Sequence, residues 1–136
     1  MKLDLQLIGY INAFENITKA RVKDCFFAKN NILIFIVQPG ELGKAIGKNG
    51  SNIKKLAIKL KHKIRVLGFD NDPVVFVKNI LYPLNGYQIN FKNNKIVINT
   101  ENKILKGKIY GRDRNNFKQV NEIFKKYFKG LDVAIE

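Results

Sequence analysis

Tryptophan is absent, cysteine, methionine and histidine occur once each, and three prolines punctuate 136 residues. A single cysteine, Cys25, excludes any disulfide within the chain and fits a reducing, cytoplasmic setting. It lies in an apolar run, Cys25-Phe26-Phe27, and reads as a buried structural thiol. With His62 as the other unique residue, a transition-metal site lacks ligands. His62 stands among lysines, Lys61-His62-Lys63, as a solvated helix end. Acidic residues are scarce too: the 11 Asp+Glu are scattered and form no compact pair framed by apolar residues. That excludes a carboxylate pair for acid–base chemistry, and with it the simplest enzymes. No catalytic constellation is present and no cofactor is called for. No apolar run approaches the roughly 18 residues of a membrane span. No apolar segment follows a basic cluster at the N-terminus, so neither secretion nor a membrane partner is expected.

What the chain has instead is positive charge. Its 25 Lys+Arg leave a net +14. Up to Asp72 there are 13 basic and 6 acidic residues, and after it 12 and 5, so each half carries +7. The excess therefore belongs to folded sequence throughout and is not a basic tail. A polyanionic partner is implied, and nucleic acid is the commonest one. A heat-adapted surface would raise Glu alongside Lys, and Glu is scarce here. Hydrophobic content of 46% supports real cores.

The stretch Ile46-Gly47-Lys48-Asn49-Gly50-Ser51-Asn52-Ile53 has the chemistry to grip a nucleic-acid backbone. Its two glycines can take positive φ and let a phosphate approach the main chain. Ser51 or Asn52 is positioned to cap the next helix, whose free N–H groups face the same place. Lysines at 44, 48, 54 and 55 surround the loop. A nucleotide-binding P-loop is excluded, because Leu42 stands where its first glycine belongs and Asn49 where its Ser or Thr belongs.

A second copy lies 64 residues downstream. Gly43-Lys44-Ala45-Ile46-Gly47-Lys48 falls on Gly107-Lys108-Ile109-Tyr110-Gly111-Arg112. The same offset sets Asn52 on Asn116, Ile53 on Phe117, Leu56 on Val120 and Leu60 on Phe124. It also sets Ile32-Leu33-Ile34 on Ile96-Val97-Ile98. One register across strand, loop and helix means two copies of one unit. The polar run Asp70-Asn71-Asp72-Pro73 marks the boundary, giving domains 1–70 and 71–136.

The order of elements reads the same way in both. Asp4 caps a helix with Leu7, Ile8, Ile11 and Phe14 on one face. Strands over 21–28 and 32–37 join through Lys29-Asn30-Asn31, where Asn suits a tight hairpin. A short helix over 41–46 precedes the loop. The helix beyond it carries Ile53, Leu56, Ala57 and Leu60 on one face and Lys54, Lys55, Lys59 and Lys61 on the others. A strand over 63–67 closes the unit. In the second unit a helix over 73–81, a hairpin of 88–91 and 95–100 through Asn93-Asn94, and a helix over 101–106 lead to Gly111-Arg112-Asp113-Arg114. A helix with Phe117, Val120, Ile123, Phe124 and Tyr127 inward and a strand over 131–135 follow. The fold class is α+β: each unit is α-β-β-α-α-β, a three-stranded sheet packed on helices.

This order, with the glycine loop between paired helices, resembles a type II KH domain, and the whole chain resembles the archaeal NusA family of tandem KH proteins. The resembling residues are Asp24-Cys25, Val37-Gln38-Pro39-Gly40, the run from Gly43 to Lys54, Asp72-Pro73, Phe76-Val77-Lys78-Asn79 and Lys126-Tyr127-Phe128. The resemblance is specific in the first unit and looser in the second. It implies sequence-tolerant binding of single-stranded RNA by a monomeric transcription elongation, termination or antitermination factor, with RNA polymerase as a further partner. A KH loop clamps the backbone of about four nucleotides. Carried onto this chain, Gly47, Lys48, Asn49 and Gly50 form the clamp, Ala45, Ile46 and Ile53 contact bases, and Lys44 and Lys54 reach phosphates. In the second unit Arg114 replaces the glycine matching Gly50 and Asp113 puts an anion at the tip. The expectation there is a weaker RNA site of Lys108, Gly111, Arg112, Arg114 and Lys118, positioning phosphates without a tight grip, or else a unit that merely supports the first. The alternative reading is a protein-interaction module docking on polymerase or ribosome, with RNA binding secondary.

Overall fold

The computed structural model describes residues 4–136. The chain divides into two compact units, one ending at Asp70 and the other Asn71–Glu136. In the first, Asp4 caps α1 (Leu5–Thr18) by accepting the Gln6 N–H at 2.8 Å, which satisfies an otherwise orphaned helix donor. Buried Thr18 closes this helix: its hydroxyl donates to Phe14 O at 2.8 Å and accepts the Ala20 N–H at 3.0 Å. Then come β1 (Val22–Phe27), β2 (Leu33–Val37), α2 (Leu42–Ile46), α3 (Ser51–Leu60) and β3 (Ile64–Gly68).

The sheet order is β1-β2-β3, with β1 antiparallel and β3 parallel to the central β2. A parallel neighbour requires a crossover, and α2 with α3 supply it, so the glycine loop sits at the turn of the crossover. Leu33, Phe35 and Val37 of β2 join Phe14, Ala20, Cys25, Ala45 and Leu56 in one core cluster. Phe14 stacks on Phe35 with ring centroids 4.2 Å apart. Ile34 and Ile36, on the opposite face of β2, are also fully buried. A strand buried on both faces reads as a continuous apolar run, with no alternation.

The second unit repeats the plan. Asp72 caps α4 (Pro73–Leu81), accepting the Val74 N–H at 2.9 Å with Pro73 in the first turn. Its sheet, β4 (Gln88–Lys92), β5 (Lys95–Asn99) and β6 (Asp132–Ile135), has the order β4-β5-β6 with the same antiparallel and parallel pairings. The crossover is α5 (Lys103–Tyr110) and α6 (Asn115–Tyr127). Phe76, Phe124 and Phe128 build the aromatic part of this core.

Four local features refine the sequence expectations. The β1–β2 connection is a 3₁₀ turn, Lys29–Asn31, with Asn31 at positive φ. The β4–β5 hairpin does place both Asn93 and Asn94 there. Helix α5 starts at Lys103 and runs to Tyr110, because Asn102 is the cap, accepting from Ile104 N at 3.0 Å and Leu105 N at 3.1 Å. His62 is no solvated helix end: it is half-buried, edge-on to Tyr10 and Phe27, with Nε2 3.2 Å from the Tyr10 hydroxyl.

Cys25 is 1% exposed. Burial, reinforced by the Asp24 carboxylate, pushes its thiol up to about 12 from 9.0. A raised folded-state value gives stability that is complete below pH 9.0 and lost as pH rises toward about 12. The thiolate is the reactive species, so at a pH of about 8 the folded protein should not react with a thiol-specific disulfide reagent and the denatured chain should react at once.

Candidate nucleic-acid interface

Helix α2 ends at Ile46 and the chain turns at Gly47, φ 73° and ψ 174°. A 3₁₀ turn, Lys48–Gly50, follows, with Asn49 at φ 55°, ψ 30° and Gly50 at φ 71°, ψ 18°. Asn49 and Gly50 thus both occupy the left-handed region, and the N–H of Gly50 closes the turn on Gly47 O at 3.2 Å. Lys48 and Asn49 at the tip are exposed, as are Lys44 and Lys54 beside it. Ile46 and Ile53 flank the loop half-buried, which leaves part of each for a ligand.

Ala45 does not. It is fully buried in the core cluster of the first unit and cannot contact a base. The reason is periodicity: on a helix as short as α2 only one residue points squarely into the core, and Ala45 is that residue.

Neither Ser51 nor Asn52 caps α3. Gly50 occupies the cap position with no side-chain acceptor, and Ser51 is already helical. Asn52 instead reaches back across the loop, its Nδ2 donating to Lys44 O at 2.9 Å. That carbonyl belongs to the last turn of α2, where acceptors lack an intrahelical partner. Asn116 repeats the brace in the second unit, donating to Ile109 O at 3.0 Å and more distantly to Lys108 O at 3.5 Å. The matched asparagines pin the paired helices to one another across each loop.

The second loop keeps the backbone path of the first. Gly111 has φ 71° and ψ 177°, Asp113 φ 54° and ψ 29°, and Arg114 φ 61° and ψ 17°. Exchange of glycine for arginine therefore leaves the main chain in place, and the difference lies in the side chains. Arg114 lays its guanidinium over the Tyr110 ring, 5.1 Å from the centroid. Tyr110 in turn meets Phe117 edge-to-face at 5.8 Å. Both rings are half-buried, and Lys108, Arg112, Arg114 and Lys118 are exposed. Tyr110 and Phe117 match Ile46 and Ile53 at the 64-residue offset. Helical spacing alone assigns Phe117 to the core and gives Tyr110 no role; the internal repeat is the signal that pairs them.

The KH domain family matches residues 10–109, most of the chain and all of the first loop. The probable transcription termination protein NusA of Thermoplasma acidophilum is 26% identical over 138 residues, covering 98% of this chain and 94% of its own. Its counterpart in Methanocaldococcus jannaschii is 26% identical over 138 residues, covering 99% and 75%. The crystal structure of APE1850 superposes with a TM-score of 0.76 at 30% identity, covering 98% of this chain and all of that one. The chain belongs to the archaeal NusA family of KH-domain proteins.

In this KH protein an anion, Glu41, stands at the N-terminal cap of α2, the helix that leads into the first loop. Glu41 accepts from Lys44 Nζ at 3.3 Å and from the Arg21 N–H at 3.3 Å, with Arg21 Nε at 3.8 Å. Its partial desolvation pushes the carboxyl up, but the Arg21 N–H and the Lys44 ammonium outweigh this and hold it below 4.5. Lys44 is therefore partly neutralised at neutral pH. Glu41→Gln should release it and strengthen binding to single-stranded RNA about two- to fourfold at low salt, an electrostatic gain that high salt removes. Filter binding at two salt concentrations checks this. Among the described residues no group of three or more His, Cys, Asp or Glu is placed to hold a metal ion. No helix there is long and apolar enough to cross a membrane.

Proposed function

We propose that this KH protein binds single-stranded RNA through the loop of its first unit and acts as a NusA-like, non-enzymatic transcription factor. On this reading residues 1–70 are a KH domain with an intact glycine loop, and residues 71–136 a KH domain whose loop is altered. One observation carries the proposal: Gly47, Lys48, Asn49 and Gly50 form a tight, solvent-facing turn between two pinned helices, flanked by half-buried Ile46 and Ile53. Lys48, Lys44 and Lys54 meet phosphates, the turn's main chain admits the sugar–phosphate backbone closely, and the two isoleucines offer apolar surface to bases. The net charge of +14 adds a sequence-independent attraction. Lys108, Gly111, Arg112, Arg114 and Lys118 form a separate, weaker phosphate site in the second unit, with Asp113 opposing it.

The names of the relatives extend this reading to transcription termination. A transcription factor of this kind has RNA polymerase as its second partner, and a lone free cysteine fits the cytoplasm as its compartment. Competition tests the RNA reading. A labelled single-stranded RNA of about ten nucleotides bound to the full chain should be displaced by unlabelled single strands and poorly by duplex DNA of equal charge. Equal displacement by duplex DNA would mean diffuse charge binding, and the partner would then be sought among proteins.

A further inference from the structure

We propose that the second unit receives an unpaired RNA base on the aromatic pair Tyr110 and Phe117, beside Arg114, so that its altered loop is a stacking site. This rests on the RNA-binding reading of the first loop and goes beyond it, because it assigns the second unit a different mode of contact.

The two rings are not needed to complete the core. Ile109, the neighbour of Tyr110, is fully buried, and Val120, Ile123 and Phe124 of α6 fill the space against the sheet. Tyr110 and Phe117 stay half-buried at the mouth of the loop, at the positions held by Ile46 and Ile53 in the first unit. An aliphatic side chain gives a base only apolar contact, whereas an aromatic ring gives it a π-face on which any base stacks. Arg114 supports the same use. It holds a left-handed conformation, φ 61°, that glycine would occupy at lower cost, and its guanidinium covers a face of the Tyr110 ring, so an incoming base stacks on the guanidinium or takes its place there. A guanidinium stacks on bases as it does on tyrosine and also pairs with phosphate. Arg112, Lys108 and Lys118 lie exposed around the pair and supply the backbone attraction that a stacking platform for single strands needs. The second loop thus gives up the glycine at the clamp and gains a sequence-tolerant grip on the base.

The test uses the full chain and two ligands of equal length and charge, an oligouridylate and its abasic ribose-phosphate analogue. Tyr110→Leu should weaken oligouridylate binding about tenfold and leave the abasic ligand unaffected. Because the chain has no tryptophan, Tyr110→Trp places a unique reporter that keeps the stacking surface. Its fluorescence should be quenched by oligouridylate and not by the abasic analogue, and this decides the matter even where the leucine variant folds poorly. Equal losses for both ligands, no loss for either, or an unquenched indole would overturn the stacking site. If the native chain binds no single strand, the RNA reading itself falls. If Lys48→Asp/Asn49→Asp abolishes binding while Tyr110→Leu is silent, only the stacking site falls.

Discussion

Replacing Lys48 and Asn49 together by aspartate is expected to lower affinity for short single-stranded RNA by about a hundredfold and to leave the fold intact. The two residues form the tip of the turn and take no part in the core. Backbone tolerance is visible within the molecule: Asp113 occupies the position matching Asn49 with φ 54°, against 55° for Asn49. The change removes one cation and adds two anions where a phosphate must approach. Every phosphate that the protein no longer neutralises makes the log–log salt slope shallower by about 0.7, and the added repulsion is least screened at low salt. A salt titration of the native and variant chains, with unchanged thermal melting, is the measurement. An unaltered affinity and slope would show that the first loop is not the clamp and that charge spread over both units attracts RNA.

Gly47→Ala is expected to destabilise the first unit by about 2–3 kcal/mol and to weaken RNA binding with it. At φ 73° and ψ 174° the residue lies where side chains are essentially not found, a strain of about 1–3 kcal/mol. A Cβ there would also stand 2.8 Å from Asn52 Nδ2 and 2.9 Å from Asn52 Cγ. It would push the amide off Lys44 O and release the pin between α2 and α3. Gly50→Ala should cost only about 1 kcal/mol, the ordinary penalty for a left-handed residue. A Cβ at Gly50 meets nothing within 4 Å, and Arg114 holds the same conformation at the matching position. Urea unfolding of both variants separates the two glycines. Equal destabilisation would refute the role given to Asn52.

The second loop obeys the same distinction. Its main chain follows the path of the first although Arg114 has replaced glycine, because the required glycine is the first of the pair. A Cβ on Gly111 would lie 2.6 Å from Asn116 Cβ and 3.0 Å from its backbone nitrogen. The chain keeps glycine where the brace is tight and varies it where the loop is open.

Much of the fold was legible because its signals are local. Asp72-Pro73 announces a helix start by cap chemistry alone, and α4 begins at Pro73. Asn93-Asn94 announces a tight hairpin because asparagine tolerates positive φ, and both residues adopt it. The i, i+3, i+4, i+7 spacing from Ile53 to Leu60 places Leu56 in the core. The glycine loop was visible for the same reason: its residue types sit close together in the chain and recur at 64 residues. Where neighbouring residues could each begin a helix, legibility failed, and Asn102 displaced the expected start of α5 by two residues.

Composition, charge and the internal repeat determined by themselves that the chain is two α+β units with a loop suited to phosphate, since each property depends on residue type and short-range spacing. Only the tertiary structure decided which loop neighbours face inward and which face a ligand. Ala45 and Ile46 are adjacent and apolar, yet one is fully buried and the other half-open, because the helix meets the core at a single angle. That angle also gave Asn52 its partner eight residues back, and packing elsewhere gave His62 its place beside Tyr10 and Phe27 and Arg114 its ring to lie on. Such contacts arise between elements and follow no period in the sequence, so they become visible only when the helices and strands are set against one another.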